Sequence, residues 1–507
     1  MMNYIDKKLN VVTMYRLVLY YLLGLLIFAS ALGYLGLLPY NPLALVLSTV
    51  YITFICWVTN ETFSKVFKAP KNIESIYITA LILVFIITPI RSFSDINFYT
   101  IGFWASVLSM ATKYVLAIRK KHMFNPAAVA VVFTSFVLGL SASWWIGTPW
   151  MVAPVVVGGF LITRKILRWD LVLSFFISSI LATIIGHTGA GSVFTDLSRF
   201  FFSSAVFFFA FVMLTEPLTT PPTKYLRIVY GLIVGFLFAP ATHIASFYFT
   251  PELALVFGNV FSYIVSPKEK LILKLLQIKE VAKDTYDFVF TTDRKFKFKP
   301  GQYMEWTFEH KGTDNRGNRR YFTIASSPTE PNIRIGLKFY PEMSSYKHHL
   351  LEMKPGDIIV ASQRAGDFTL PRNKKKKLVF IAGGIGITPF RSMLKYLVDT
   401  NESRNVVSFY SNRTLADVAY TDVFDDAHSK LGIQTVYTLT DAPAPPTWLG
   451  ERGFINREMI MKYAPDFMDR MFYISGPHMM VFVFEKMLLD MGVRSSSIKV
   501  DFFPGFV

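Results

Sequence analysis

A helical membrane half, a small antiparallel barrel and a closing α/β domain make up the fold class this chain predicts. Three observations predict it. From about residue 12 to 265 the sequence is a series of long apolar runs, near the length that crosses a bilayer. After Pro267 it turns to strand-like runs punctuated by lysine, such as Leu271–Lys279 and Tyr286–Thr291. Near residue 380 an apolar β-type run breaks into Gly383, Gly384 and Gly386 and restarts as a helix. The expected domains are 1–267 (helical), 268–373 (barrel) and 374–507 (α/β), with Lys374–Lys377 as a solvated connector.

Composition supports the division. Hydrophobic residues make up 52% of the 507 and charged residues only 17%, too apolar for an average soluble protein. The single cysteine, Cys56, excludes a disulfide within the chain and a Cys-only iron–sulfur site built by this chain alone. A formal charge of +17 is accounted for by basic cytoplasmic loops facing anionic lipid, so the bilayer, not nucleic acid, is the expected partner.

Ten helices are expected, near 12–36, 42–59, 74–90, 98–118, 126–145, 148–163, 170–186, 199–215, 226–239 and 244–265. The first run is too long for a cleavable signal peptide. Basic residues alternate between connections. Lys7, Lys8 and Arg16 open the first helix, and Lys65, Lys68 and Lys71 follow the second. Arg119, Lys120 and Lys121 follow the fourth, Arg164, Lys165 and Arg168 the sixth, and Lys224 and Arg227 the eighth. The positive-inside rule then places both the N-terminus and the C-terminal half in the cytoplasm, on a multi-pass plasma or inner membrane protein.

Two motifs on that side stand out. In Met123–Phe124–Asn125–Pro126, Asn125 suits an N-cap and Pro126 a first helical residue. In Leu214–Thr215–Glu216–Pro217, a carboxylate ends an apolar helix, where such groups are often paired or functional. The order "HMFNPAA", "RKILRWDLVLSFFISSILATIIG", "FVMLTEPLTTPPTKYLRIVYGLIVGFL" resembles the membrane D subunit of the Rnf electron-transport complex and the B subunit of the sodium-pumping NADH:quinone oxidoreductase. The likeness covers about residues 15–265. It implies a flavin in the membrane half, with Asn125, Thr215 and Glu216 as the candidate carrier site. The family's Thr-bearing "SGAT"-like stretch has no counterpart, only Ser141–Thr148, so an implied FMN or riboflavin is non-covalent, and another carrier stays open.

In the barrel, Pro300–Gly301–Gln302–Tyr303 and Arg320–Tyr321–Phe322–Thr323 stand in order, followed by Ser344–Ser345–Tyr346–Lys347. Arg320 offers a planar fork for a diphosphate, Phe322 a ring for an aromatic face, and Thr323 a small hydroxyl. Strand alternation sends Arg320 and Phe322 to one side. In the last domain, Gly383, Gly384 and Gly386 with Thr388 as N-cap and Pro389 as first helical residue bring bare amides and a positive helix end to one point. Ser411–Asn412–Arg413 ends the next strand, Ser475–Gly476–Pro477 a later one, and Asp501–Phe502–Phe503–Pro504–Gly505–Phe506 lies close to Val507.

These motifs resemble the ferredoxin–NADP reductase superfamily over about residues 270–507. The resemblance implies FAD held by Tyr303, Arg320, Tyr321, Phe322, Thr323 and the segment Ser344, Ser345, Tyr346, Lys347. It implies NADH or NADPH on Gly383, Gly384, Gly386, Thr388, Pro389, Ser411, Asn412, Arg413, Gly476 and Pro477, with Phe503 and Phe506 as the aromatics that cover the flavin's other face. Thr323 and Ser475 are the candidate catalytic residues, at the flavin edge and beside the nicotinamide. No resident metal is implied. The expected reaction is hydride transfer from NAD(P)H to FAD, then electrons into the membrane half and on to a quinone or redox protein; an oligomer is compatible with it. Two other readings stand beside this one: a haem-bearing transmembrane ferric reductase or NADPH oxidase, which requires paired histidines in helices, and a transporter with a redox-sensing domain. His122, His187 and His243 all fall at predicted helix ends.

Overall fold

A computed structural model describes residues 9, 12–67, 73–118, 121–187, 192–266, 270–294, 296–310, 312–314, 317–441, 446 and 448–503. Of the residues singled out above, Lys7, Lys8, Lys68, Lys71, Arg119, Lys120, Pro267, Lys268, Pro504, Gly505 and Phe506 lie outside this set. The chain forms two compact units, Met1–Glu269 and Lys270–Val507.

The first unit is helical: α1 (Met14–Tyr34), α2 (Pro42–Val66), α3 (Ile73–Ile86), α4 (Ile96–Val115), α5 (Pro126–Leu138), α6 (Pro149–Ile166), α7 (Trp169–Ile185), α8 (Val193–Phe202), α9 (Val206–Phe208, continuing as a π-turn over Phe209–Met213), α10 (Lys224–Phe238) and α11 (Pro251–Val265). A polar residue before proline starts several of them. Asn41, Asn125 and Thr250 each accept a backbone N–H from the first turn. Helix α5 stops at Gly139, whose φ of 66° ends it in the left-handed region. Helices α7 and α10 cross closely, because a Cβ on Gly231 would lie 2.7 Å from the Leu171 carbonyl and one on Gly235 2.3 Å from that of Phe175. Arg227 and Asp170 pair at 2.7 Å between the same two helices.

The helical segments fall where ten were expected, but length separates them. Among the described residues α1, α2 and α6 are long and apolar enough to cross a membrane, and a fourth span results if α8 and Val206–Met213, bent by 59°, count as one. Helices α3, α5, α7 and α11 hold 14, 13, 17 and 15 residues. They rise only about 20–26 Å, against roughly 30 Å of hydrocarbon. The apolar runs continue through caps and turns, which add hydropathy but little rise.

The second unit has two lobes. The first is a six-stranded antiparallel sheet: β1 (Leu271–Ala282), β2 (Thr285–Thr292), β3 (Tyr303–Thr307), β4 (Arg319–Thr323), β5 (Ile333–Lys338) and, after helix α12 (Ser345–Leu351), β6 (Ile358–Ala365). Its order is β4-β3-β6-β1-β2-β5, and the Ala325 amide donates to Arg334 O at 2.8 Å, drawing the two end strands together. Trp306, Phe288, Phe290 and Tyr346 fill its interior.

The second lobe is a six-stranded parallel sheet, β7 (Leu378–Gly383), β8 (Val406–Asn412), β9 (Gln434–Leu439), β10 (Glu451–Arg452), β11 (Met471–Pro477) and β12 (Ile498–Phe503), ordered β10-β9-β8-β7-β11-β12. Helices α13 (Thr388–Asp399) and α14 (Thr421–Leu431) cover one face over Phe380, Tyr410 and Tyr473. Helices α15 (Arg457–Tyr463) and α16 (His478–Asp490) cover the other over Val379, Ile381 and Phe472. Strand β12 pairs alongside β11 from Phe472↔Ile498 to Pro477↔Phe503, where the sequence showed only a terminal motif.

Candidate functional site

The nucleotide side is built where the sheet order reverses. From β7 the chain moves outward through β8 to β9, then returns to lay β11 on β7's other side. A crevice opens beyond the carboxyl ends at such a switch point, and ligands of open α/β sheets bind there. Gly383 ends β7, and a 3-10 turn over Gly384–Ile387 follows, with Gly384 at φ 51°. That turn lies directly on the end of β11. A Cβ on Gly386 would stand 2.4 Å from Ser475 O and 2.6 Å from Gly476 Cα. Gly476 itself takes φ 157°.

Thr388 is not an N-cap. Helix α13 is entered through the 3-10 turn, so Ile387 stands at the cap in right-handed conformation, Thr388 is the first helical residue and Pro389 the second. The Thr388 hydroxyl donates to Ile385 O at 3.2 Å. A chain already curled as a 3-10 turn needs no side-chain cap to start a helix.

Ala382 at the end of β7 registers with Ser475 on one side and Tyr410 on the other. Asn412 lies two residues beyond Tyr410 on the same face. Ser475 is fully buried and, among the described residues, its Oγ has no hydrogen-bond partner; Asn412 is buried beside it at the strand end. Buried polar atoms are paired in most structures, so unpaired ones at a switch point fit a polar ligand. Arg413 is 80% exposed and 3.7 Å from the Asp441 carboxylate. Ser411 is half-buried at the same strand end. Phe503 ends β12, beside Pro477 in register. Sequence reasoning missed Asp501, which registers with Ser475 across β11 and β12. Burial pushes its carboxyl up to about 7. Its signal was a carboxylate next to Val500, Phe502 and Phe503 in a strand.

On the other lobe, β4 and α12 bring the expected flavin residues together. Arg320 lies 5.0 Å over the Tyr346 ring and Phe322 6.0 Å from it, so Arg320 and Phe322 share one side of the strand. The Arg320 guanidinium donates to Gly317 O at 3.1 Å and Arg319 O at 2.7 Å. Tyr321 faces the opposite way, donating to Glu305 at 2.8 Å and meeting Tyr303 edge-on at 5.7 Å. Thr323 is buried opposite Tyr303 in the β3–β4 ladder. Ser344 caps α12 by accepting the Lys347 amide at 3.3 Å. Lys347 sends its ammonium to Lys338 O at 2.9 Å. The Ser345 amide donates to the Asp314 carboxylate at 2.9 Å, and its hydroxyl bonds His310 at 3.0 Å. An anion therefore already meets this helix end, and a diphosphate there would replace one anion by another.

In the helical unit, Asn125 and Glu216, 91 residues apart, meet at 2.9 Å. Thr219 adds a second donor to Glu216 at 3.2 Å. The Asn125 amide donates to Asn259 Oδ1 at 2.8 Å, and Asn259 Nδ2 to the Tyr230 hydroxyl at 3.0 Å. Thr215 turns away and closes on Phe211 O at 2.7 Å. These bonds tie Asn125, Glu216, Thr219, Asn259 and Tyr230 of the helical unit to one another.

Comparison with known proteins accounts for both units. Residues 102–268 match the NQR2, RnfD, RnfE family, and residues 380–486 match the oxidoreductase NAD-binding domain. The chain joins two known kinds of module. The glycine betaine monooxygenase reductase component of Pseudomonas aeruginosa is 30% identical over 212 residues, 40% of this chain and 57% of the relative. The F subunit of the Na(+)-translocating NADH-quinone reductase of Methylococcus capsulatus is 33% identical over 204 residues, 37% and 49% respectively. A flavohemoprotein of Bacillus anthracis is 29% identical over 217 residues, 41% and 53%. The chain spans about half the length of the curated relatives it matches.

Proposed function

We propose that this chain is a membrane-bound, FAD-dependent NAD(P)H oxidoreductase. One observation carries the reading: a glycine turn packed onto Ser475–Gly476 at the switch point, beside a buried hydroxyl that has no partner. FAD would supply the two-electron acceptor that can later release electrons one at a time. Arg320, with the Ser344–Lys347 segment, would hold its diphosphate, and Phe322, on the same side of the strand as Arg320, would line its ring. The backbone amides of Gly384–Gly386 would receive the nucleotide pyrophosphate. Ser475 would bond the carboxamide end, and Asn412 the adenosine end. Thr323 would donate at the flavin edge. No side-chain base is needed; the lobes orient two cofactors and keep water out.

Electrons would then pass into the helical unit, to a non-covalent FMN or riboflavin or another carrier beside Asn125 and Glu216, and on to a quinone or a redox protein. That unit would span the membrane ten times with both ends cytoplasmic, a topology its alternating basic connections support. The histidine set does not suit paired axial haem ligation, since no helix of this unit carries two. Cofactor analysis of the purified full chain tests the reading. FAD and a second, non-covalent flavin support it. FAD alone leaves the reductase and removes the second carrier; no FAD defeats it.

A further inference from the structure

The two lobes of the C-terminal unit are joined by a closed ring of buried and half-buried polar side chains that the reaction itself does not use. Arg391, on α13 one turn beyond the glycine motif, grips Glu330 with both guanidinium nitrogens. Arg334 on β5 reaches Glu330 at 3.5 Å and Asp287 on β2 at 2.8 Å. Tyr420 donates its hydroxyl to Asp287 and lies 5.8 Å under Arg391, closing the circuit. Tyr420 holds φ 62°, a conformation rare for a tyrosine. Gly336 makes room for it: a Cβ there would come 2.2 Å from the Tyr420 hydroxyl.

Two more bonds locate the purpose. Arg391 Nη1 donates to Ala325 O at 3.0 Å, and Ser392 Oγ to Ser326 O at 2.6 Å. Ala325 and Ser326 directly follow the strand that ends at Thr323, while Arg391 and Ser392 follow the turn at Gly383–Ile387. The clamp therefore ties the segment after the flavin strand to the helix after the nucleotide turn. A buried ion pair adds little adhesion over an apolar contact of equal size; its known use is to fix register. Arg391 is 4% exposed, and an apolar side chain would have served adhesion alone.

We infer that Arg391, with Glu330 and Ser392, is a positioning device that sets the separation of nicotinamide and flavin. The inference rests on the function proposed above. The test uses the full chain in detergent with its own FAD, followed anaerobically after mixing with NADH or NADPH. The paired change Arg391→Met with Glu330→Gln leaves no lone buried charge. It is expected to keep FAD, to keep nucleotide affinity within about twofold, to slow flavin reduction about tenfold or more, and to weaken the long-wavelength nicotinamide–flavin charge-transfer band. Arg391→Lys keeps the charge without the fork, and should recover only part of the rate. Should the paired variant lose its FAD, Ser392→Ala decides, with slower reduction at full FAD content expected. Unchanged rate and unchanged charge-transfer band in whichever variant holds FAD would overturn the inference. An FAD-loaded parent chain that neither nucleotide reduces would instead defeat the proposed function.

Discussion

The nucleotide-side sheet edge and the carboxylate network of the helical unit treat buried polar atoms in opposite ways. At the sheet edge, Ser475 Oγ is buried without a partner among the described residues. In the helical unit, Asn125, Glu216, Asn259 and Tyr230 satisfy one another. Unpaired buried groups cost stability in the free protein and are recovered on binding; paired ones hold the fold together. The first region reads as a site kept open to a ligand, the second as a joint between helices α5, α10 and α11 and the turn after the π-helix. A short series of substitutions would break or sharpen that contrast.

The largest effect is expected at Gly386. Gly386→Ala drives a methyl group into the backbone of Ser475 and Gly476, which cannot move aside. Nucleotide-dependent flavin reduction should fall about a hundredfold or more, with FAD retained. Gly383→Ala makes a usable control, because its closest neighbour is the flexible Met480 thioether at 2.2 Å. It should cost less than about tenfold in the same stopped-flow assay.

Next come opposite signs of stability. Glu216→Ala leaves the Asn125 amide donor without its acceptor and should destabilise the helical unit by about 1–3 kcal/mol, read as a lower melting point in detergent. Ser475→Ala removes a buried hydroxyl that bonds to nothing, and should raise the melting point of the nucleotide-free chain by the equivalent of about 1 kcal/mol while lowering the further rise on adding NADH or NADPH. If both variants shift in the same direction, the contrast is wrong.

The smallest effect is pH-dependent. The Asp501 carboxyl is pushed up to about 7 by burial, above its unfolded value. A raised carboxyl favours folding while protonated, so its contribution is present at acid pH and fades as pH rises through about 7. Asp501→Asn should therefore stabilise the chain at pH 8 and progressively less as pH falls toward the ordinary carboxylate range, in paired melts. Glu330 works the other way. Burial acts to raise it, but the hydrogen bonds and charge of Arg391, the Ser327 amide and Arg334 together hold it below the ordinary range, so its contribution is lost only on acidification.

Much of this was legible beforehand where the chain needs special backbone. Gly386 marks a backbone approach too close for a side chain, Gly384 and Gly476 take positive φ, and Arg320 and Phe322 follow from strand alternation. Asn125 capping α5 was legible because Asn–Pro at a helix start has one reading. Its bond to Glu216 was not, since no local pattern relates residues 91 apart. Thr388 misled because a cap and a first-turn residue look alike when a 3-10 turn precedes them. The number of full-length spans was less legible, because hydropathy does not see the break at Ser203–Ala205 or the stop at Gly139. The ring of Arg391, Glu330, Arg334, Asp287 and Tyr420 left no sequence trace, because its members come from four stretches far apart in the chain.

Anaerobic titration of the purified full chain with NADH and with NADPH, followed by flavin absorbance, bears most directly on the reductase assignment. Bleaching of a bound FAD by at least one nucleotide, reversed on admitting an oxidant, is the expected result. A chain that carries no FAD, or carries FAD that neither nucleotide reduces, would contradict it.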